Sequence, residues 1–130
     1  RSEKIHGLLK DGISEAILYG GEISKIVDRM NLLFGDSIDI LPSLSPEVVL
    51  IDTMYKDRKK SALVKNNMRL VREVVGSDPD YIDLINVALN CASKRVVIKQ
   101  PRYANQLEDI KACSHQILGK TIRYDVYVTI

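Results

Sequence analysis

Cysteine and histidine are scarce in this 130-residue chain, which has two of each. Cys91 and Cys113 stand far apart with no CxxC, and His6 and His115 have no neighbour at ligand spacing. Neither a disulfide framework nor a zinc site is encoded, and a reducing cytoplasm fits. No apolar run approaches the roughly 18 residues of a membrane span. The opening Arg1-Ser2-Glu3-Lys4 lacks the apolar core of a signal peptide. An excess of one charge is also missing: 19 Lys+Arg face 17 Asp+Glu, and the net +2 is too small to announce a nucleic-acid partner by itself. No GxSxG, P-loop or HExxH occurs, and no repeat or low-complexity stretch interrupts the chain. With 45% hydrophobic and 28% charged residues, what remains is a soluble globular chain of about one domain.

Apolar residues at Ile5, Leu8, Leu9, Ile13, Ala16 and Ile17 have helical spacing, with Ser2-Glu3 suited to the first turn and Gly20-Gly21 to the stop. Ile23, Ile26, Val27 and Met30 predict a second, short helix, and Asn31 to Phe34 a short strand ending in Gly35-Asp36. Val48-Val49-Leu50-Ile51, after Pro46 and before Asp52, is an unbroken apolar run of the kind expected of a parallel strand buried on both faces. Ser61 to Val75 reads as a helix with Val64, Met68, Val71 and Val75 on one stripe. Asp78-Pro79 supplies an N-cap and a first helical residue for another, whose stripe is Ile82, Ile85, Leu89 and Ala92. Arg95 to Lys99 is a second buried-type strand closed by Pro101, and a short helix is expected around Leu107 and Ile110. His115 to Leu118 and Thr121 to Ile130 flank Gly119-Lys120 as a hairpin. Its last strand alternates Ile122, Tyr124, Val126 and Val128 with Arg123, Asp125 and Tyr127, the pattern of a half-exposed antiparallel strand. Strands separated by helices argue for a doubly wound α/β sheet. A terminal antiparallel hairpin on such a sheet is the arrangement of class I methyltransferases, a likeness of fold only.

In open α/β sheets ligands bind beyond the carboxyl ends of the strands. Asp36-Ser37, Asp52 to Tyr55 and Lys99 to Arg102 should therefore converge on one rim. A carboxylate there accepts hydrogen bonds from an amine or a ribose hydroxyl, and equally caps the next helix. Asp52-Thr53-Met54-Tyr55 puts an acceptor three positions before an aromatic ring, a combination that can hold a planar base, or form a turn with a core tyrosine. Lys56, Arg58, Lys59, Lys60, Lys65, Arg69 and Arg72 lie close together with only Asp57 against them. Such a cluster contacts phosphates or forms a solvated helix face. Cys91 falls on an apolar helix stripe and reads as core.

Val49-Leu50-Ile51-Asp52-Thr53-Met54-Tyr55, Lys59-Lys60-Ser61-Ala62-Leu63-Val64-Lys65-Asn66-Asn67-Met68-Arg69 and Lys94-Arg95-Val96-Val97-Ile98-Lys99-Gln100-Pro101 closely resemble the bacterial small-subunit rRNA guanine-N2 methyltransferase J family. The likeness continues through Gly119-Lys120 and Arg123 to Tyr127, so it spans nearly the whole chain. It implies transfer of a methyl group from S-adenosyl-L-methionine to the exocyclic amine of a guanine in 16S rRNA. It also implies a Rossmann-like class I α/β sheet with a C-terminal antiparallel hairpin.

Carried over by position, the family's cofactor contacts are Arg1, Asp36, Ser37 and Asp52. Asp52 is also the expected catalytic acceptor and Tyr55 the stacking partner of a flipped guanine, with Lys59, Lys60, Lys65 and Arg69 on rRNA phosphates. No metal is required. Two departures stand out. Thr53 replaces the family's proline, and the family's first strand and glycine-rich motif have no counterpart. Residues 1–130 are therefore expected to be the C-terminal portion of a single methyltransferase domain, with the missing N-terminal portion as partner and Val48 to Ile51 left with an unpaired edge. The rival readings are a non-catalytic RNA-binding fragment and an N-methyltransferase for another substrate.

Overall fold

The computed structural model describes residues 1–52 and 80–129. It divides into two compact units, Arg1–Asp36 and Ser37–Ile130. The expected helices at Ser61 to Val75 and the Asp78-Pro79 cap lie outside the described residues.

In the first unit α1 spans Glu3–Tyr19, and the Ser2 hydroxyl accepts from the Ile5 N–H at 3.4 Å, satisfying one of the donors a helix start leaves open. α2 spans Gly21–Val27. The turn between them places Gly20 and Gly21 at φ +76° and +65°, where a side chain would be strained, so the glycine pair stops one helix and starts the next. Asn31 to Phe34 is not a strand. A four-residue apolar run becomes one only by pairing its backbone, and no partner strand stands beside it among the described residues. Its Phe34 ring packs on His6 instead, with centroids 5.0 Å apart.

In the second unit α3 spans Ser37–Leu44, an element whose internal Pro42 obscures the helical pattern. β1 is Val48–Ile51, α4 Tyr81–Cys91, β2 Arg95–Pro101, β3 His115–Leu118 and β4 Ile122–Val128. The sheet order is β1-β2-β4-β3. β1 runs parallel to β2, and β2–β4 and β4–β3 are antiparallel. The core gathers Ile51, Val96, Ile98 and Tyr127 from one sheet face against Ile85, Ala88 and Ala92 of α4 and its end. The α4 stripe is thus Ile85, Ala88 and Ala92, with Ile82 and Leu89 only half-buried.

Three further expectations are corrected. β1 is parallel, but only Val49 and Ile51 turn inward; Val48 and Leu50 are exposed, and among the described residues β1 ends the sheet. No helix forms around Leu107 and Ile110, which pack on the core from a looped segment with Cys113. The hairpin forms as read, but β4 is more than half buried: Arg123, Asp125 and Tyr127 are 6%, 3% and 3% exposed and Val126 on the other face is 3% exposed, while Val128 is exposed.

Candidate active site

Register builds the rim. Ile51 pairs with Ile98 across the parallel β1–β2 ladder, so Asp52, the residue after β1, lies beside Lys99 within β2. Side chains alternate between faces, which puts both on the face opposite the Ile51–Ile98 core. Lys99 Nζ donates to Asp52 Oδ2 at 2.8 Å. The two side chains remain 35% and 55% exposed, so this is an accessible charged pair and not a sealed one. The hydrogen bond to Asp52 and then its charge hold the Lys99 ammonium pKa above the ordinary lysine value, against the pull of desolvation. The arrangement offers an acceptor carboxylate and a protonated donor at the carboxyl end of a parallel pair, where ligands of open α/β sheets bind.

β2 continues past Lys99 into a loop that a buried guanidinium secures. Arg123 Nη1 donates to the carbonyls of Arg102 and Ala104 at 3.2 and 2.6 Å, and Nη2 to that of Asn105 at 3.4 Å. The same guanidinium reaches Gln100 Oε1 at 3.2 Å, and its Nε donates to Asp125 Oδ1 at 2.9 Å. Gln116 Nε2 donates to the same Asp125 oxygen at 2.7 Å. The rigid donor fork of arginine can satisfy this many partners at once. Arg102 closes the loop against the hairpin turn by donating to the Gly119 carbonyl, and its guanidinium lies 5.8 Å from the Tyr103 ring centre. Tyr127 lies on the same sheet face, and burial, followed by the Asp125 charge, pushes its phenol up to about 12.

The other expected site residues are placed as follows. Arg1 and Asp36 meet within the first unit, Nε to Oδ2 at 2.8 Å and Nη2 to Oδ1 at 2.9 Å, a two-pronged pair. Ser37 is the first residue of α3 in the second unit. Tyr55, Lys59, Lys60, Lys65 and Arg69 lie outside the described residues. The sequence reading missed two features. From sequence, Lys99 belongs to a rim segment that is a strand exit or a phosphate contact, whereas register with Asp52 decides its partner. For Arg123 and Asp125 the alternation leaves open which side of the half-exposed strand is covered; their signal is the i, i+2 spacing of opposite charges, which puts both on one face. Among the described residues no group of three or more His, Cys, Asp and Glu side chains could hold a metal ion.

A family model described as "Putative SAM-dependent methyltransferase" matches residues 1–129. The ribosomal RNA small subunit methyltransferase J of Brucella anthropi is 52% identical over 128 residues, which make up 98% of this chain and 62% of the relative. The protein of that name from Agrobacterium fabrum has the same identity and the same coverage, 52% over 98% of this chain and 62% of its own. The crystal structure of a SAM-dependent methyltransferase from Neisseria gonorrhoeae matches with a TM-score of 0.71 at 33% identity, over 95% of this chain and 48% of that one. The chain spans about six-tenths of the length of these curated relatives. The mixed four-stranded sheet with its helices fits the α/β fold of that neighbour.

Proposed function

This chain belongs to the SAM-dependent methyltransferase family, and from that membership we propose that it forms part of an enzyme that methylates the exocyclic N2 of a guanine in 16S rRNA. The observation that carries the reading is Asp52 at the carboxyl end of β1, exposed enough to accept a donor and aligned with Lys99 on β2. The acceptor chemistry fits the cofactor as well as the substrate: a half-exposed carboxylate with one oxygen on Lys99 retains acceptor capacity for an amine or a hydroxyl. S-adenosylmethionine, when bound, would supply the electrophilic methyl group that N2 takes up, the displaced N2 proton passing to solvent water. Arg1, Asp36, Ser37 and Asp52 are the residues that the sequence resemblance alone assigns to hold it.

Guanine N2 is a weak nucleophile because its lone pair is delocalised into the ring. The protein must therefore orient it and stabilise the positive charge that develops there. Asp52 does this by accepting from the amine, a hydrogen-bond acceptor and not a strong base. Tyr55 stacks on the flipped guanine, and Lys59, Lys60, Lys65 and Arg69 contact rRNA phosphates; these roles rest on sequence alone. The work belongs on small ribosomal particles in the cytoplasm, and both units belong to one catalytic domain. The glycine-rich motif is expected in the part of the relatives' length without counterpart here.

The test is methyl transfer from labelled S-adenosylmethionine to undermethylated small ribosomal subunits, beside free protein and small amines. Label recovered as N2-methylguanosine supports the reading. Transfer only to protein or small amines replaces the substrate, and RNA binding without transfer favours a non-catalytic module.

A further inference from the structure

The Asp52–Lys99 pair has an order as well as a charge. Nζ is a donor, Oδ2 at 2.8 Å is an acceptor, and Oδ1 of the same carboxylate is a second acceptor. Along the pair the order is donor, acceptor, acceptor. The pairing edge of guanine presents the complement: O6 accepts, N1–H donates and the N2 amine donates. Two heavy atoms one hydrogen-bond length apart are spaced to meet two adjacent atoms of that edge. Adenine opposes the order twice, setting its 6-amine against the ammonium and its N1 lone pair against the carboxylate.

From this juxtaposition we infer that Lys99 determines specificity, donating to O6 of the target guanine while Asp52 accepts from N1–H and the N2 amine. The inference rests on the guanine-methylating reading above and deepens it by assigning Lys99 to the base. The parallel register that ends at Ile51 and Ile98 brings Asp52, one residue past β1, beside Lys99 in β2. Both side chains are open to an approaching ring edge, at 35% and 55% exposure. An ammonium carries three protons, so donating to O6 does not require Lys99 to give up Oδ2 or a further partner. Asp52 holds that ammonium in its protonated, donating form. A site built to bond a polar atom rejects the analogue lacking it, because its own donor is then left unpaired.

The test pairs one side chain with one base atom, as in a double-mutant cycle. The protein expressed from its own gene and supplied with S-adenosylmethionine is assayed on small-subunit rRNA carrying guanosine or 6-thioguanosine at the methylated position. The sulfur analogue keeps N1–H and the N2 amine but replaces O6 with a poor acceptor. Wild-type protein is expected to favour guanosine by about 10- to 100-fold in kcat/KM. In Lys99→Met that preference should collapse towards unity, the loss falling on guanosine, and Lys99→Arg should restore part of it. Equal losses on both RNAs in Lys99→Met would overturn the assignment alone and leave Lys99 as a support for Asp52. No transfer to either RNA by the wild-type protein would overturn the guanine-methylating reading and this inference with it.

Discussion

Asp52 carries the charge on which the proposed chemistry depends, and a one-atom change separates its possible roles. Asp52→Asn keeps the size and one acceptor oxygen but removes the negative charge beside N2. Single-turnover methyl transfer at saturating cofactor should fall about 10²- to 10³-fold, or about 3 to 4 kcal/mol. Thermal stability should barely move, since an exposed ion pair contributes little. Asparagine caps a helix about as well as aspartate, so near-wild-type turnover would make the carboxylate structural. Tyr127 bears on stability. Its phenol, raised from 10.0 to about 12 chiefly by burial, stays neutral in the folded state while the unfolded chain ionises. The native state therefore binds more protons between these values. Its contribution is complete below pH 10 and drains away as pH rises towards 12, by on the order of 2 to 3 kcal/mol. Urea unfolding from pH 9 to 11.5 should show this decline, and Tyr127→Phe should flatten it. Asp52 and Tyr127 were both visible in the sequence as types at positions, whereas the Lys99 partner and the burial were not, because each depends on a neighbouring strand.

β4 shows how an element's pattern can be legible while its burial stays open. Alternation identified the strand and its hairpin, but alternation assigns residues to two faces without saying which face is covered. Arg123 and Asp125 sit inside because Gln100, Gln116 and the carbonyls of the 102–105 loop supply their bonds. Breaking that set from one side leaves Asp125 buried without its cation. Arg123→Met should cost about 3 to 5 kcal/mol in denaturant unfolding, and Arg123→Met combined with Asp125→Leu should recover part of it. Additive losses in the double variant would show that the two side chains do not depend on each other. β1 errs the other way: its unbroken apolar run suggested cover on both faces, yet Leu50 is 61% exposed. The run records parallel pairing, while cover depends on which elements lie across it. The Leu107–Ile110 segment similarly offers apolar anchors to the core without helical backbone.

The two units differ in how much they bury. No residue of α1 or α2 is buried, and Leu18 and Tyr19 are 86% and 83% exposed. The second unit holds the core, with Ile85, Ala88, Val96 and Ile98 at 0% exposure. Opening free energy follows buried apolar contact. Amide exchange of residues 1–130 expressed alone should therefore be fast along α1 and α2 and slowest in β2 and the paired part of β4. Equal protection in α1 and β2 would show that the apolar stripe of α1 is covered in solution. The sequence by itself determined the helices at Glu3–Tyr19 and Tyr81–Cys91, the strands at Val48–Ile51 and Arg95–Pro101, the terminal hairpin and the methyltransferase family. Those follow from local periodicity, capping and turn residues, and from motifs whose spacing survives in the linear chain. The tertiary structure alone decided that Asp52 faces Lys99, that Arg123 and Asp125 point inward, and that Asn31 to Phe34 forms no strand. Each depends on what stands beside a segment, and a residue's own neighbours in sequence carry no record of strand register or of which face is covered.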